Sequence, residues 1–244
     1  KNIWEVLKIC APMVRLAFRS LVRKFDCDIC FTPMIVAPDF MCSVKARDTD
    51  HPLIVQFAAS DAQTLADAAC VVSPFSDGVD LNCGCPQRWA MSEGYGACLL
   101  NKPENQVDNP NYTASIKIRI HKDLLSVPVI ANRDIKTHRD TLPLPPHMSC
   151  LVGVMAGRGL LSNPAMFTGY NETPLECVWD WVDLTTNQGT PFTCFHQHLI
   201  YMLERVSSQP ERKVINSLQS SAAVIDYLHN TYGSKDRRPI INTG

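Results

Sequence analysis

The chain has 244 residues, of which 45% are hydrophobic and 19% charged, and its formal net charge at pH 7 is −1. This composition excludes a largely disordered polypeptide, because there are enough apolar residues for one large core or two modest ones. The near-neutral charge excludes attraction of the whole molecule to polyanions, so any contact with nucleic acid must use a local basic patch.

Neither a signal peptide nor a membrane span is predicted. No apolar run approaches the ~18 residues that cross a bilayer. We therefore expect a cytoplasmic protein, with the nucleus as an alternative location. The 11 cysteines are odd in number and scattered, so most should be reduced thiols. Cys83 and Cys85 are separated by one residue, unlike the usual zinc ligands, and no metal site is predicted.

Short β-type runs alternate with helical patterns over the first two thirds of the chain. The runs are 28–35, 52–59, 78–84, 114–120, 127–133 and 151–157, and the clearest helical patterns are 15–25 and 61–72. Several runs are continuously apolar and end in a polar residue, as strands buried on both faces do. Ser60 or Asp61 is the expected N-cap of the second helix. The alternation predicts an α/β fold with a parallel sheet, open or closed into a barrel.

After about Phe167, apolar residues recur at helical spacing, with Gly or Pro between the segments. We interpret residues 168–233 as a small all-helical domain, 1–167 as the α/β domain and 234–244 as a tail. Trp179 and Trp181 are expected to be core residues of the helical domain.

Two groups of charged or titratable residues on helices are not expected to form sites. Arg15, Arg19 and Arg23 are spaced by four on the first helix, and we expect this stripe to be a solvated face, with a phosphate contact as the alternative. His196 and His198 are two residues apart and point to different faces of a helix, which argues against metal binding.

Polar residues follow most of the predicted strands. They are Gln56, Asn82 with Cys85, Arg119 with His121, Asn132 with Asp134, and Arg158. In a (β/α)8 barrel the carboxyl ends of the strands converge on one mouth, where active sites are built. The sequence therefore predicts a site at this mouth.

Cys85 lies between Gly84 and Pro86, on a constrained turn at a strand end. An inert, buried cysteine is the alternative interpretation. A free cysteine thiol has a pKa of about 8.5, so it is protonated at pH 7 and can donate a proton, whereas a nucleophile needs a neighbouring base or dipole.

Three further residues suggest ligand contacts. Lys117 shares one side of its strand with residues 115 and 119, and a cation inside a barrel must meet an anionic ligand or an acidic partner. Gln56 interrupts an apolar run, and its amide could pair with a heterocycle. For both residues, a satisfied internal network is the alternative. The glycines around Arg158 suit phosphate capture by backbone N–H groups and a guanidinium.

Together these segments resemble the tRNA-dihydrouridine synthases, and most closely the fourth eukaryotic type. The resemblance extends over 11–14 (APMV), 30–35 (CFTPMI), 52–59 (PLIVQFAA), 80–103 (DLNCGCP through NKP), 116–120 (IKIRI), 127–132 (VPVIAN) and 157–167 (GRGLLSNPAMF). It continues into the helical part at WDWVD and CFHQHLIYMLE. The Asn-x-Gly-Cys-Pro element followed by Gly-x-Gly-Ala is specific to the family.

The resemblance implies a TIM (β/α)8 barrel that binds FMN, followed by a helical tRNA-binding domain. It implies that FMN, reduced by NADPH, passes hydride from N5 to C6 of a D-loop uridine at position 20a or 20b, while Cys85 protonates C5. The implied flavin contacts are Pro12, Met13, Val14, Gln56, Asn82 and Lys117, and the implied phosphate contacts are Asn132, Arg133, Asp134, Gly157 and Arg158.

The chain departs from the family in three places. Only residues 121–126 separate the predicted strands at 116–120 and 127–132, too few for a crossover of a dozen or more residues. The family has a strand with a His-Gly-Arg motif between these two, and this strand and its flavin-contacting histidine are missing here. Arg133 replaces a glycine beside the phosphate. Three prolines in 142–146 forbid a helix that the family has there. The barrel is therefore expected to be incomplete in this chain.

Two alternatives to a tRNA reductase remain from the sequence. One is a shortened, non-catalytic variant that keeps the signature residues and lacks flavin. The other is an oxidoreductase of free pyrimidines on a similar flavin barrel, such as a dihydroorotate dehydrogenase, against which the helical domain and the Cys85 segment argue.

Overall fold

A parallel sheet with flanking helices forms the first part of the molecule. The computed structural model describes residues 6–37, 50–85, 88–95, 113–118, 128–132, 135–141 and 150–233. The strands are β1 (Leu7–Cys10), β2 (Ile29–Phe31), β3 (Ile35–Val36), β4 (Leu53–Ala58), β5 (Gly78–Asn82), β6 (Thr113–Lys117), β7 (Val129–Ala131) and β8 (Leu151–Ala156). The helices are α1 (Leu16–Lys24), α2 (Ala62–Val72), α3 (Arg88–Ser92), α4 (Arg158–Ser162), α5 (Leu175–Asn187), α6 (Phe192–Leu203), α7 (Gln209–Ser217) and α8 (Ser221–Tyr232).

The strand order is that of a (β/α)8 barrel with one gap. The strands pair in the order β6-β5-β4-β2-β1-β8-β7, and β3 adds to β4. Every pairing is parallel. The α/β class and the barrel architecture predicted from the sequence are confirmed.

The gap lies between β6 and β7, which are consecutive among the described strands yet occupy opposite edges of the sheet. A closed barrel would pair these edges, directly or through a further strand. Most of the link between them, residues 119–127, lies outside the described part. The expectation that the short link cannot form a crossover stays a prediction, because the link lies outside the described residues.

Side-chain alternation divides the sheet into an outer and an inner face. On β4 and β5 the outer residues pack against α2; this cluster contains Val55, Phe57, Val79, Leu81, Leu65, Ala68, Ala69 and Val72. The inner face carries a separate apolar layer of Ile9, Phe31, Ile54 and Met155. Gln56 is two residues beyond Ile54, so it points to the inside of the barrel, toward the carboxyl ends of the strands.

The C-terminal helices α5 to α8 share one core with α1. Trp181 is fully buried, and its Nε1–H donates to the Phe195 carbonyl at 3.1 Å. Trp179 is partly buried on the same core and contacts His229. Both tryptophans are therefore core residues, as predicted. The domain limit at residue 167 remains a prediction.

The prediction that the arginine stripe of α1 is solvated is wrong for two of its three members. Arg19 is buried and donates to Asp50 Oδ2 from Nε at 3.0 Å and Nη2 at 2.7 Å. Arg23 reaches Asp50 Oδ1 at 3.4 Å and the Pro52 carbonyl at 2.7 Å. The stripe faces the segment before β4, whose buried carboxylate requires cationic partners.

Local sequence signals explain several boundaries. Asp61 is the N-cap of α2 and accepts from the Thr64 N–H at 2.8 Å, as one of the two predicted caps. Ser208 and Glu211 form a capping box at the start of α7. Gly78 is required at the start of β5, because a Cβ there would lie 2.5 Å from the Thr113 carbonyl oxygen. Among the described helices, none is long and apolar enough to cross a membrane.

Candidate active site

Four polar side chains on β4, β5 and β6 and the backbone N–H of Cys85 form a hydrogen-bonded chain inside the barrel. Ser115 Oγ donates to Asp80 Oδ1 at 2.7 Å, and Gln56 Nε2 donates to Asp80 Oδ2 at 2.6 Å. Asn82 Nδ2 donates to Gln56 Oε1 at 3.0 Å. Asn82 Oδ1 accepts from the backbone N–H of Cys85 at 3.0 Å. We call the series Ser115–Asp80–Gln56–Asn82–Cys85 the polar relay.

The sheet register places these residues side by side. Gln56 pairs with Asp80 across β4 and β5, and Asp80 pairs with Ser115 across β5 and β6. One pleat further along, Asn82 is opposite Lys117. Side chains alternate with a period of two along a strand, so the side chains of these five strand residues project from the inner face at the carboxyl ends of the strands. They are Gln56, Asp80, Asn82, Ser115 and Lys117.

Gln56 uses its carbonyl oxygen and one N–H within this network, which agrees in part with the internal alternative left open by the sequence. Gln56 is 1% exposed to solvent. One N–H of the amide group is committed to Asp80, and the second N–H remains available to a ligand.

Cys85 is positioned by the side chain of Asn82. Asn82 Oδ1 accepts from both Gly84 N–H, at 3.1 Å, and Cys85 N–H. The Cys85 side chain is half-buried and packs against the apolar group that contains Ala58 and Tyr95.

Lys117 supplies a cation at the same end of the sheet. It is half-buried at the end of β6, next to Asn82 in register. Within the described residues, Lys117 forms no ion pair. Its charge acts on the Asp80 carboxyl, whose pKa it lowers as a minor contribution. The arrangement leaves the ammonium group available to an anionic or electron-rich ligand.

A second group of predicted residues lies at the ends of β1, β7 and β8. Asn132 Nδ2 donates to the Met155 carbonyl at 2.9 Å, which ties the end of β7 to β8. Gly157 follows β8, and a Cβ there would lie 2.8 Å from Met13 Sδ, so the glycine permits close approach of the β1 loop. Arg158 is exposed.

The remaining predicted site residues differ in their surroundings. Pro12 and Met13 are at the barrel mouth after β1, and Met13 is 44% exposed. The Val14 side chain lies in the core under α1 and is 2% exposed, so only its backbone can face a ligand. Arg119, His121, Arg133 and Asp134 lie outside the described residues.

Sequence reasoning missed Asp80 and Ser115, which complete the polar relay. Asp80 lies two residues before Asn82 in a buried strand and therefore on the same face. A carboxylate at a buried strand position is a signal from which it could have been predicted as a site residue. It also missed a thiol cluster beneath α1, although Cys27 and Cys30 have Cys-x-x-Cys spacing. Their sulfur atoms are 3.9 Å apart. Among the described residues, no group of His, Cys, Asp or Glu side chains could hold a metal ion.

Burial raises the pKa of the Asp80 carboxyl to about 6, against smaller opposing effects of hydrogen bonds from Ser115 and Gln56 and of the Lys117 charge. Because this value exceeds the pKa in the unfolded chain, the native state binds more protons between pH ~4 and ~6. The Asp80 contribution to the free energy of unfolding is therefore highest in acid and is lost as pH rises through 6.

We expect Asp80→Asn to remove this pH dependence. From pH 4 to pH 7, the free energy of unfolding of the wild type should fall by about 2 kcal/mol relative to the variant. Urea unfolding at several pH values measures both curves, and groups that titrate in both proteins cancel in the difference. Parallel curves for the two proteins would contradict the assigned pKa.

Comparisons with known proteins identify the family of the chain. The family model described as dihydrouridine synthase matches residues 9–123 and 106–226. A human protein named "tRNA-dihydrouridine(20a/20b) synthase NAD(P)+-like" is 48% identical over 292 residues, covering 94% of this chain and 92% of the human protein. A mouse protein of the same name is 47% identical over 294 residues, covering 95% and 90%.

A more distant relative gives the same result. The Schizosaccharomyces pombe protein named "tRNA-dihydrouridine(20a/20b) synthase NAD(P)+" is 34% identical over 282 residues, covering 90% of this chain and 86% of the relative. The human alignment is longer than the 244 residues of this chain, so it must contain gaps opposite residues of the human protein. The family model likewise matches in two pieces, which overlap at residues 106–123, close to β6.

The fold, the Asn-x-Gly-Cys-Pro turn and these matches lead to one conclusion: the chain belongs to the dihydrouridine synthase family.

Proposed function

We propose that this protein reduces uridine to 5,6-dihydrouridine in the D-loop of tRNA, at position 20a or 20b, with FMN as cofactor and NADPH as reductant. The observation that carries the proposal is the turn that holds Cys85 at the end of the polar relay. It is supported by relatives named tRNA-dihydrouridine(20a/20b) synthase-like. A tRNA substrate also agrees with a cytoplasmic or nuclear location.

The donor set at the barrel mouth fits a flavin. The second N–H of Gln56 and the ammonium of Lys117 can bind the electron-rich carbonyl and ring-nitrogen edge of an isoalloxazine. Asn132, Gly157 and Arg158 at the ends of β7 and β8 would hold the phosphate, and Pro12 and Met13 would line the flavin between the two groups. Bound FMN, after reduction by NADPH, supplies the hydride that reaches C6 of the uracil.

Cys85 provides the proton in this proposal. Addition of a hydride to C6 of the uracil leaves negative charge at C5, and a neighbouring acid must neutralise this charge by donating a proton. The Asn82-bound turn holds the Cys85 thiol at the mouth, where a uridine displaced from its stack can approach. The thiol donates its proton to C5 and recovers a proton from solvent.

Flavin binding tests the proposal without depending on turnover. The purified chain titrated with FMN should quench flavin fluorescence and retain a bound chromophore near 450 nm after gel filtration. Lys117→Ala should weaken FMN binding about tenfold through loss of a charged hydrogen bond. Lys213→Ala, an exposed lysine on α7, is the matched control and should leave the affinity unchanged. A wild-type protein that retains no flavin would contradict the proposal.

A second candidate function is a non-catalytic variant, and the position of β6 and β7 at opposite edges of the described sheet favours it. Such a protein keeps Cys85 and the polar relay but cannot retain FMN, because the flavin is bound by residues that a closed barrel brings together. The FMN titration separates the two candidates, since only the reductase holds the cofactor.

A further inference from the structure

The polar relay has a direction, which follows from the chemistry of its members. Asp80 in its ionised form only accepts hydrogen bonds, and the backbone N–H groups of Gly84 and Cys85 only donate. Gln56 and Asn82 lie between these fixed ends, and each amide has one donating and one accepting end. Only one orientation of the two amides satisfies every contact in the observed arrangement.

Reversing either amide would break the series. With Gln56 reversed, its Oε1 would face Asp80 Oδ2, acceptor against acceptor, and its Nε2 would face Asn82 Nδ2. Asn82 would then have to reverse as well, which would place its Nδ2 against the N–H groups of the Cys85 turn. Gln56 and Asp80 are buried, so water cannot repair these contacts, and unpaired polar groups at such positions are costly.

We propose that Asp80 is a positioning residue for Cys85. Its carboxylate, three hydrogen bonds away from the thiol residue, fixes the orientation of Gln56 and Asn82 and so keeps the Asn82 carbonyl oxygen on the Cys85 turn. Ser115 holds the other carboxylate oxygen and completes the anchor. The catalytic role of this positioning rests on the proposed function. The relay consists of protein groups only, so it can be tested without cofactor or RNA.

Moving the carboxylate from one end of the relay to the other tests the proposal. Asn82→Asp alone places carboxylates on both sides of Gln56, whose single NH2 group can serve only one of them. In the double variant D80N/N82D, Asn at 80 donates to Gln56 Oε1 and accepts from Ser115. Gln56 Nε2 then donates to Asp at 82, which still accepts from the Cys85 turn. Every hydrogen bond is present again, with the Gln56 amide reversed.

The measurement is the rate at which iodoacetamide alkylates Cys85 at pH 8, resolved by peptide mass spectrometry in the full chain without FMN or tRNA. Exposed Cys70 on α2 serves as the internal reference in each protein. We expect N82D to raise the relative rate at Cys85 about tenfold, because the turn loosens. D80N alone should change it less than about threefold, since the Ser115 hydroxyl can accept from the new amide.

The double variant decides the outcome. D80N/N82D should return to within about threefold of the wild-type rate, a non-additive rescue that independent structural roles would not produce. A double variant as reactive as N82D would overturn the proposal. If N82D does not fold, a folded D80N/N82D with wild-type reactivity supports the relay, and an unfolded or fast-reacting one overturns it. Failure to reduce tRNA would instead contradict the proposed function and leave this result intact.

Discussion

Replacing Cys85 by alanine is expected to lower the rate of dihydrouridine formation by the flavin-loaded protein about 10²- to 10⁴-fold, the usual contribution of a positioned general acid. Alanine keeps the backbone N–H that Asn82 binds, so the turn persists while the proton donor is lost. Nucleoside mass spectrometry of unmodified tRNA, incubated with protein, FMN and NADPH, measures the product.

The matched control for this experiment is Cys83→Ala. Cys83 lies two residues earlier, but its side chain is buried in the cluster between the sheet and α2 and is 4% exposed. We expect this variant to retain activity within a few-fold of the wild type. Equal losses in both variants would indicate damage to the β5 turn, and an active Cys85→Ala protein would contradict the assignment of the proton donor.

Replacing Asp50 by alanine is expected to lower the free energy of unfolding by about 3–5 kcal/mol, the usual cost of removing one partner from a buried ion pair. The Asp50 side chain is fully buried, and its carboxylate receives Arg19 and Arg23. Without it, the Arg19 guanidinium remains buried with only the Val14 carbonyl as acceptor among these contacts. Urea unfolding of the purified chain measures the change.

Asp180→Ala provides the comparison for this prediction. Asp180 pairs with Lys24, the last residue of α1, and the two side chains are 24% and 47% exposed. Solvent screens this pair, so its removal should cost at most about 1 kcal/mol. Similar losses for Asp50→Ala and Asp180→Ala would contradict the view that burial makes the Asp50 cluster important.

The strands and the mouth of the barrel could be predicted from the sequence because their signals are local. Continuous apolar runs such as 52–59 end in polar residues, and a parallel sheet brings those ends together. The observed β4 (Leu53–Ala58) and β5 (Gly78–Asn82) fall within the predicted runs. The same logic placed Gln56, Asn82 and Lys117 on the inner face.

The partners of these residues could not be predicted, because they depend on register between strands that are distant in the chain. Gln56 meets Asp80 only because β4 and β5 pair as Gln56 with Asp80, and no local pattern contains that information. The prediction that the arginine stripe of α1 is solvated was wrong for the same reason. Its spacing describes one face of α1, but only the fold brings Asp50 to that face.

A break in the barrel between β6 and β7 is predicted from chain length alone. Residues 121–126 are too few to connect parallel strands of one sheet, and the described strands end at opposite edges. Chain length does not predict whether an incomplete barrel still binds FMN, and the FMN titration answers this question directly.

The source of the hydrogen at C5 of the uracil gives the most direct test of the central claim. tRNA would be reduced by the flavin-loaded protein and NADPH in heavy water, and the dihydrouridine analysed by NMR and mass spectrometry. A thiol in exchange with solvent should deliver one solvent deuteron to C5, and Cys85→Ala should yield almost no product. Dihydrouridine without solvent deuterium at C5, or no product from protein that holds FMN, would contradict the account.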